Sequence, residues 1–377
     1  MVKQRLFKFL RKYVLQKYVL RQVKAEQNYE ALTVLKNIPS QFLAKLSREE
    51  ILEVKDLWNL SGGVKYNLNE LGLFKYFNNF DPRYLCHSIY LPIIAHKLNN
   101  YHYTKLFEHK SLLGYLVKGR LKYPTCFVRS IDGEYYDGAM LQISKDDAIK
   151  RCMHESCIVI KDSVDSSGGK GVELLKLGNY DESSRLEKLR LKLSERKSDF
   201  VIQECIRQHE SFAKFNSSSI NTLRVTTLYL NGKFSVLSIV LRFGKSGMTV
   251  DNWGSGGIIV GVGKDGRLHK KGYDIQLHEY NEYNDIVFEK ECLSQVPLLL
   301  AEIEDVHKHC FSLCKFIGWD ICFNEENVPI IIELNSSQPG VIGEQLCTGP
   351  IFGDRTKEVV EYCSQKDFVY HKSILNY

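Results

Sequence analysis

The chain has 377 residues, 44% of them hydrophobic, and a formal net charge of +6. This length predicts two or three subdomains, and no run of 18 apolar residues is present to span a membrane. Residues 1–24 hold eight Lys or Arg and no acid, so the rest of the chain is nearly neutral. A body without a basic field beside stacking aromatics argues against a nucleic-acid partner.

The cysteines and histidines point to no disulfide framework and no zinc site. Eleven cysteines are scattered, odd in number and accompanied by no secretory signal pattern, which predicts reduced thiols in a cytoplasm. His307, Cys310 and Cys314 share one face of a predicted helix over residues 296–316. No second ligand pair accompanies them, so the core of an amphipathic helix is favoured over a zinc site.

The N-terminal part of the sequence has helical patterns and no recognisable chemistry. Within residues 1–24, apolar positions recur near helical spacing between basic residues. Such a helix either lies on an anionic membrane surface or packs one stripe on the domain. Ser47 with Glu50 predicts a capping box, and Asp81-Pro82 predicts the start of another helix. We expect a cytoplasmic protein, with peripheral contact at the inner face of the membrane if residues 1–24 bind there.

A loop rich in Ser and Gly follows a strand that ends in Lys161, and a second strand begins at Val172. Its glycines let the backbone approach a bound group closely, and bare amides with Ser hydroxyls form an anion-binding concavity. The loop is therefore predicted to cover phosphates, the alternative being a flexible hairpin loop. No Walker motif is present, because Lys170 follows the wrong glycine spacing and no helix signal comes after it. The "GVGKDG" of residues 261–266 is not a dinucleotide fingerprint, because it ends in a tight turn between strands and no helix follows.

A second hairpin, within residues 318–340, carries acids at one end. Antiparallel pairing brings Asp320 opposite Glu333, and Asn335 shares a face with Glu333 because side chains two apart on a strand point the same way. Two carboxylates and an amide oxygen suit magnesium. The alternative is an ordinary edge hairpin with solvated acids.

Taken in order, the segments "SSGGKGV", "FVIQECI", "INTLRVTTL", "DNWGSGGIIVGV" and "GWDICF…IIELN" resemble the ATP-grasp superfamily, in its branch associated with sugar transfer and surface polysaccharides. The resemblance implies an α+β fold in which two α+β subdomains clasp ATP, preceded by a mostly helical N-terminal region. We predict three domains, comprising residues 1–100, 101–200 and 201–377. His109 stands where the family usually has an acid, just before the first lysine. The resemblance therefore does not identify the acceptor site.

The resemblance implies ATP and Mg²⁺ as cofactors and assigns residues to them. The phosphate contacts would come from Lys110, Lys161, Ser166, Ser167, Gly168, Gly169, Lys170, Gly171 and Val172. The backbone at Glu204, Cys205 and Ile206 would pair with adenine, and Asp320, Glu333 and Asn335 would hold the metal. The expected catalytic residues are Arg224, Asn221 and Arg242. An arginine at a strand edge suits a carboxylate or a transferring phosphoryl group, and a structural salt bridge is the competing explanation for Arg224.

This set of residues predicts a carboxylate–amine ligase that works through an acyl phosphate, in the biosynthesis of a surface polysaccharide or similar conjugate. Its substrates would be small-molecule or glycan-linked carboxylates and amines. One alternative is a phosphotransferase acting on a sugar hydroxyl, and another is a nucleotide-binding scaffold without turnover. The kinase would need a positioned carboxylate base, and the sequence places none beyond the metal ligands.

Overall fold

The computed structural model describes residues 39–60, 66–117, 119–164 and 171–366. The predicted basic helix of residues 1–24 and the loop residues Ser166 to Lys170 lie outside these ranges. The chain forms two compact units, one of Met1–Tyr103 with Ser337–Tyr377 and one of Thr104–Ser336. No helix in the described ranges is long and apolar enough to cross a membrane.

The helices, in chain order, are α1 Arg48–Leu57, α2 Leu68–Asn78, α3 His87–Ile89, α4 Ala95–Leu98, α5 Tyr101–Phe107, α6 Lys110–Leu116, α7 Lys145–Met153, α8 Glu182–Glu195, α9 Glu210–Ala213, α10 Val296–Cys310, α11 Ile342–Thr348 and α12 Thr356–Gln365. The strands are β1 Cys126–Ile131, β2 Glu134–Tyr136, β3 Gln142–Ile143, β4 Cys157–Asp162, β5 Val172–Lys176, β6 Phe200–Glu204, β7 Thr222–Leu230, β8 Lys233–Phe243, β9 Ile258–Val262, β10 Leu268–Tyr273, β11 Glu279–Tyr280, β12 Glu282–Tyr283, β13 Ile286–Val287, β14 Phe316–Phe323 and β15 Pro329–Asn335.

The first unit is helical in its described residues. The capping box that begins α1 is confirmed, because the Ser47 side chain accepts from the Glu50 amide and the Glu50 carboxylate accepts from the Ser47 amide. The predicted helix start at Asp81-Pro82 is wrong. Asp81 instead accepts from the backbone and side chain of Arg83, which forms a local turn in place of an N-cap.

Ser337–Tyr377 belong to the first unit, whereas the sequence placed them with residues 201–336. A buried amide holds them there: Gln345 Nε2 donates to the Leu85 carbonyl (2.9 Å) and Gln345 Oε1 accepts from the Leu85 amide (2.8 Å). Such reciprocal pairing satisfies buried polar groups on both segments. The other predicted domain boundaries stay predictions.

The described part of the second unit contains two large antiparallel sheets and a two-stranded sheet of β12 and β13. The first has the strand order β3-β2-β1-β6-β4-β5. One of its faces packs under α7 and α8 through a core that includes Ile158, Ile160 and Ile202. Because side chains alternate along a strand, Lys161 and Gln203 lie on the opposite face.

The second sheet has the order β11-β10-β9-β8-β7-β14-β15. Its core face packs on α10 through residues such as Leu299 and Ile303 against Ile317 and Trp319. Arg224 and Asp320 pair directly across β7 and β14 and lie on the other face, which is polar. The polar faces of the two sheets carry most of the predicted site residues.

The metal hairpin has the predicted pairing at its functional end. Asp320 lies opposite Glu333, and Gly318 lies opposite Asn335. A bulge between Asp320 and Ile321 shifts the remaining pairs by one residue, so that Ile331 faces Ile321. This extra residue allows Ile331 to join the core while Glu333 turns to the polar face.

Two other expectations are wrong. Helix α10 ends at Cys310 and not near residue 316, because Phe316 already pairs with Leu228 in the sheet. An apolar run alone does not distinguish a helix end from a buried strand. One disulfide, Cys157–Cys205, is present where reduced thiols were expected, while the other nine cysteines are free.

Candidate nucleotide and metal site

Lys161 lies at the end of β4, on the face of the first sheet that turns away from its helices. Burial, with a smaller contribution from the charge of Lys110, lowers its pKa to about 8, although Cys322 and Glu333 oppose the shift. Among the described residues, Lys161 has no ion-pair partner. A desolvated lysine without a carboxylate partner favours an anionic ligand, because the charge of such a ligand would offset the cost of burial.

Val172 and Leu174 are the cross-strand neighbours of Lys161 and Val159 and lie on the same face. Their side chains are 45% and 55% exposed. Gly171, just before Val172, has a φ of +72°, and a Cβ there would meet the Asp162 carboxylate at 2.2 Å. Glycine is therefore required where the phosphate loop returns to the sheet.

Gln203 on β6 pairs with Val159, so it shares this face. It is 1% exposed, and neither its Oε1 nor its Nε2 has a hydrogen-bond partner among the described residues. The Tyr123 hydroxyl donates its proton to the Lys110 carbonyl (2.7 Å) and is close enough to Gln203 for the amide to act on its pKa, but the two side chains do not reach hydrogen-bond geometry. A buried amide that presents one donor and one acceptor fits the edge of adenine, which offers an acceptor next to a donor. The residues present thus fit a nucleotide.

Lys110 begins α6, and its backbone amide donates to the Ser163 carbonyl (3.0 Å) at the start of the phosphate loop. Its Nζ lies 3.4 Å from Glu333 Oε1, and the lysine side chain is 8% exposed. Lys110, Lys161 and Glu333, which were predicted separately, thus lie close enough for their charges to interact.

Asp320 is the centre of a buried charge network. The fork of Arg224 holds it with two hydrogen bonds, one of them 2.9 Å from Nη2 to Oδ2. Arg242 Nη2 lies 3.3 Å from the same oxygen, which also accepts from Asn335 Nδ2 (3.3 Å). Burial alone would raise the pKa of Asp320, but the guanidinium groups of Arg224 and Arg242 hold it below its usual range.

The donor chemistry of the predicted metal set fits magnesium. Glu333 is partly exposed, and Asn335 presents its amide oxygen because its nitrogen donates to Asp320. Both oxygens of Asp320 are engaged by arginine, so it would have to give up part of that contact to bind a metal. No cluster of three His, Cys, Asp or Glu side chains that could hold a metal occurs among the described residues. His307, the histidine of the zinc alternative, uses both ring nitrogens in hydrogen bonds with the Thr227 hydroxyl and the Cys314 carbonyl.

Comparison with known proteins now adds to this geometry. Residues 94–361 match the family described as sugar-transfer associated ATP-grasp. The chain belongs to this family. Its ATP-grasp fold is the predicted α+β arrangement, with a helical N-terminal region. Membership supports an ATP-binding enzyme. No curated protein matches the sequence.

Solved ATP-grasp structures are similar to the chain at low identity. D-alanyl-alanine synthetase A from Vibrio cholerae is 12% identical with a TM-score of 0.37, covering 70% of this chain and 64% of that one. VanG D-Ala:D-Ser ligase from Enterococcus faecalis is 11% identical with a TM-score of 0.40, covering 68% and 61%. N5-carboxyaminoimidazole synthetase from Staphylococcus aureus, solved with ADP, is 9% identical with a TM-score of 0.37, covering 63% and 46%. The chain thus spans less than two thirds of these structures.

Asn221, one of the predicted catalytic residues, is engaged in local hydrogen bonds. Its amide donates to the carbonyls of Phe212 and Asn216 (both 2.8 Å) and accepts from Ser219. It therefore stabilises the loop before β7 and presents no group to the nucleotide or metal. Asn221 is only three residues from Arg224, and spacing alone does not reveal such local hydrogen bonds to the backbone.

The sequence did not single out Asp251, Thr222 or Gln203, which lie beside the predicted site residues. Asp251 Oδ2 accepts from Thr222 and lies 3.4 Å from Arg242 Nη2. The "DNWGSGG" segment contributed to the family resemblance, but Asp251 was given no role in it, since nothing local shows that this loop returns to β7. Glu204, Cys205 and Ile206 follow Gln203 at the end of β6, where Cys205 is tied to Cys157. Their backbone contacts to adenine stay a prediction.

Proposed function

We propose that this ATP-grasp enzyme joins a carboxylate to an amine through an acyl phosphate, in the biosynthesis of a surface polysaccharide or a related conjugate. The observation that carries the proposal is the convergence of two arginines on Asp320 at the polar face of the second sheet. A planar guanidinium holds a carboxylate or a phosphoryl group with two parallel hydrogen bonds. Such a pair suits the two anions that must meet when a carboxylate attacks a phosphoryl group.

The local charge balance also supports the proposal. Lys110, Lys161, Arg224 and Arg242 supply four positive charges, against three from the carboxylates of Asp251, Asp320 and Glu333. This balance favours a polyphosphate that arrives with a divalent cation, because the site alone neutralises only part of its charge. Magnesium, held by Asp320, Glu333 and Asn335, would neutralise charge that develops on the phosphate oxygens.

The chain's own residues would then act by positioning and electrostatics. Lys110 and Lys161 would bind phosphate oxygens, and the Gln203 amide would orient the adenine. Arg224 and Arg242 would hold the substrate carboxylate in line and steady the acyl phosphate until an amine displaces phosphate. No protein nucleophile is needed, which agrees with the absence of an activated Ser or Cys pair in the sequence.

A sugar kinase remains the second candidate, because the structure brings one further acid, Asp251, to the site. A kinase requires a carboxylate base that accepts the hydroxyl proton. Asp251 already accepts from Thr222 and pairs with Arg242, which disfavours that role.

The test supplies ATP, Mg²⁺ and candidate carboxylates with hydroxylamine in place of the amine. A ligase gives a hydroxamate, with ADP and free phosphate in equal amounts, and Arg242→Gln reduces its formation. The matched control is Arg267→Gln, on the exposed turn beside Asp265. Phosphate found esterified to a sugar, and lost in Asp251→Asn, would overturn the ligase in favour of the kinase.

A further inference from the structure

The polar face of the second sheet is arranged in rows, because paired residues on neighbouring antiparallel strands share a face. One row is Val240, Arg224, Asp320 and Glu333, the charged row described above. The next row along the strands is Ser238, Thr226, Gly318 and Asn335, which we call the hydroxyl row. The two rows are about 7 Å apart, since a strand rises about 3.4 Å per residue.

The hydroxyl row contains two unpartnered polar groups. Thr226 is fully buried and Ser238 is 4% exposed, and neither hydroxyl has a hydrogen-bond partner among the described residues. Buried hydroxyls almost always have a hydrogen-bond partner. Two neighbouring hydroxyls without one therefore suggest that a ligand supplies the missing hydrogen bonds. Gly318, the other neighbour of Thr226, contributes no side chain to the row between Thr226 and Asn335.

The direction of β14 shows which part of a ligand would reach this row. Cys322 lies near Lys161, on the nucleotide side, since the charge of Lys161 acts on its thiol. Asp320 comes next on the same face, in the charged row, and Gly318 follows in the hydroxyl row. The hydroxyl row is thus on the far side of the charged row from Lys161. A group bound there would belong to the substrate whose carboxylate meets the arginines.

The chemistry of the row selects the class of substrate. A hydroxyl both donates and accepts, and neither Thr226 nor Ser238 carries a charge, so the row matches neutral hydroxyl groups. An α-amino group would want a carboxylate, but the two in these rows already have cationic partners: Asp320 is held by Arg224 and Arg242, and Glu333 lies 3.4 Å from Lys110 Nζ. The row therefore fits a sugar acid better than an amino acid.

We propose that Thr226 and Ser238 bind ring hydroxyls of the carboxylate substrate, and that this substrate is a hydroxylated sugar acid of the uronic type. The proposal rests on the carboxylate-activating function proposed above. Both hydroxyls are closed to solvent without a ligand, so the residues over this face must move to admit one. The ligand then supplies the hydrogen bonds that the row lacks.

The test measures binding and not turnover. Isothermal titration would compare D-glucuronate, D-galacturonate and D-mannuronate with cyclohexanecarboxylate, in the presence of Mg²⁺ and a non-hydrolysable ATP analogue. At least one uronate should bind wild type tightly, and Thr226→Val and Ser238→Ala should each weaken it about 10-fold while cyclohexanecarboxylate changes little. Both variants should keep or raise the melting temperature, because each removes an unpaired buried hydroxyl.

The matched control is Thr227→Val on the same strand. Thr227 faces the core, where it bonds to His307 and Trp319, so this change should lower the melting temperature and leave the uronate preference intact. The proposal is overturned if no uronate binds, or if the variants leave the preference over cyclohexanecarboxylate unchanged. Hydroxamate formation separates the two proposals: uronate binding without hydroxamate refutes only the ligase, and equal hydroxamate from all four carboxylates refutes only the sugar-acid subsite.

Discussion

Asp320→Asn and Glu333→Gln should separate stability from turnover, although both change a predicted metal ligand. Asp320 is 6% and Arg224 9% exposed at the side chain, and Arg242 also contacts the same carboxylate. Removing one member of a buried ion pair leaves an uncompensated charge and costs about 3–5 kcal/mol. For a unit of this size, that loss corresponds to a melting temperature lower by about 6–20 °C.

Glu333 presents the opposite case. Its side chain is 28% exposed and lies 3.4 Å from Lys110 Nζ, so its ion pair is partly screened and worth about 1 kcal/mol or less. Glu333→Gln should therefore change the melting temperature by no more than about 4 °C. Turnover of ATP should fall by several orders of magnitude in both variants, because each removes a charge from the predicted metal set.

The assay is differential scanning calorimetry beside ATP turnover, with the double variant Asp320→Asn, Arg224→Met as the matched control. Removing both charges should restore part of the stability that Asp320→Asn alone loses. Equal melting temperatures for the two single variants would refute the reasoning, since the buried network would then contribute nothing. Full turnover in both would place the metal elsewhere.

Three further predictions use other parts of the second unit. Burial lowers the pKa of His307 to about 4, so the unfolded chain binds more protons than the folded chain below pH 6.5. The free energy of unfolding should therefore fall by about 3 kcal/mol as the pH drops from 6.5 to 4. Thermal melts should show this dependence in wild type and lose it in His307→Gln. Nucleotide binding near pH 8.5 should take up a proton on Lys161, seen as a dependence of calorimetric heat on buffer, and Lys161→Met should abolish it. The Cys157–Cys205 bond closes a loop of 48 residues, so reduction or Cys157→Ser should lower stability by about 4 kcal/mol; unchanged melting would contradict this.

Local patterns were enough to predict the short-range structure of the site. The turns at Asp132-Gly133 and Asn231-Gly232 have the positive φ angles that such pairs indicate. Alternation along residues 320–335 was enough to bring Asp320 opposite Glu333. In each case the partners are close in sequence, so pairing depends on a turn that the residues themselves specify.

The long-range partners could not be predicted in this way. Arg224 meets Asp320 across 96 positions because β7 and β14 are neighbours in the sheet, and no local signal gives that order. Bulges are equally hidden: an extra residue in β8, at Leu237, brings Ser238 to the same face as Arg224. In the sequence, Gln203 is one more residue of a buried strand. Only the structure shows that its side-chain amide has no hydrogen-bond partner among the described residues.

The contacts already made by the Asp320 carboxylate predict that Mg²⁺ binds before the substrate carboxylate. A carboxylate offers about four lone-pair positions, and Arg224, Arg242 and Asn335 together make four contacts with Asp320, three of them at Oδ2. Arg224 uses two of its five N–H groups on Asp320, so a substrate carboxylate that takes both hydrogen bonds of this fork has to displace part of that contact. A divalent cation on Asp320 would favour the release. D-glucuronate should then bind at least about 10-fold more tightly with Mg²⁺ and the ATP analogue than with EDTA and the analogue, as measured by titration calorimetry. Glu333→Gln should remove this difference, and the exposed-site control Glu325→Gln should retain it. Equal affinity with and without Mg²⁺ would show that Arg224 is available from the start, and would contradict the idea that its contact with Asp320 controls substrate binding.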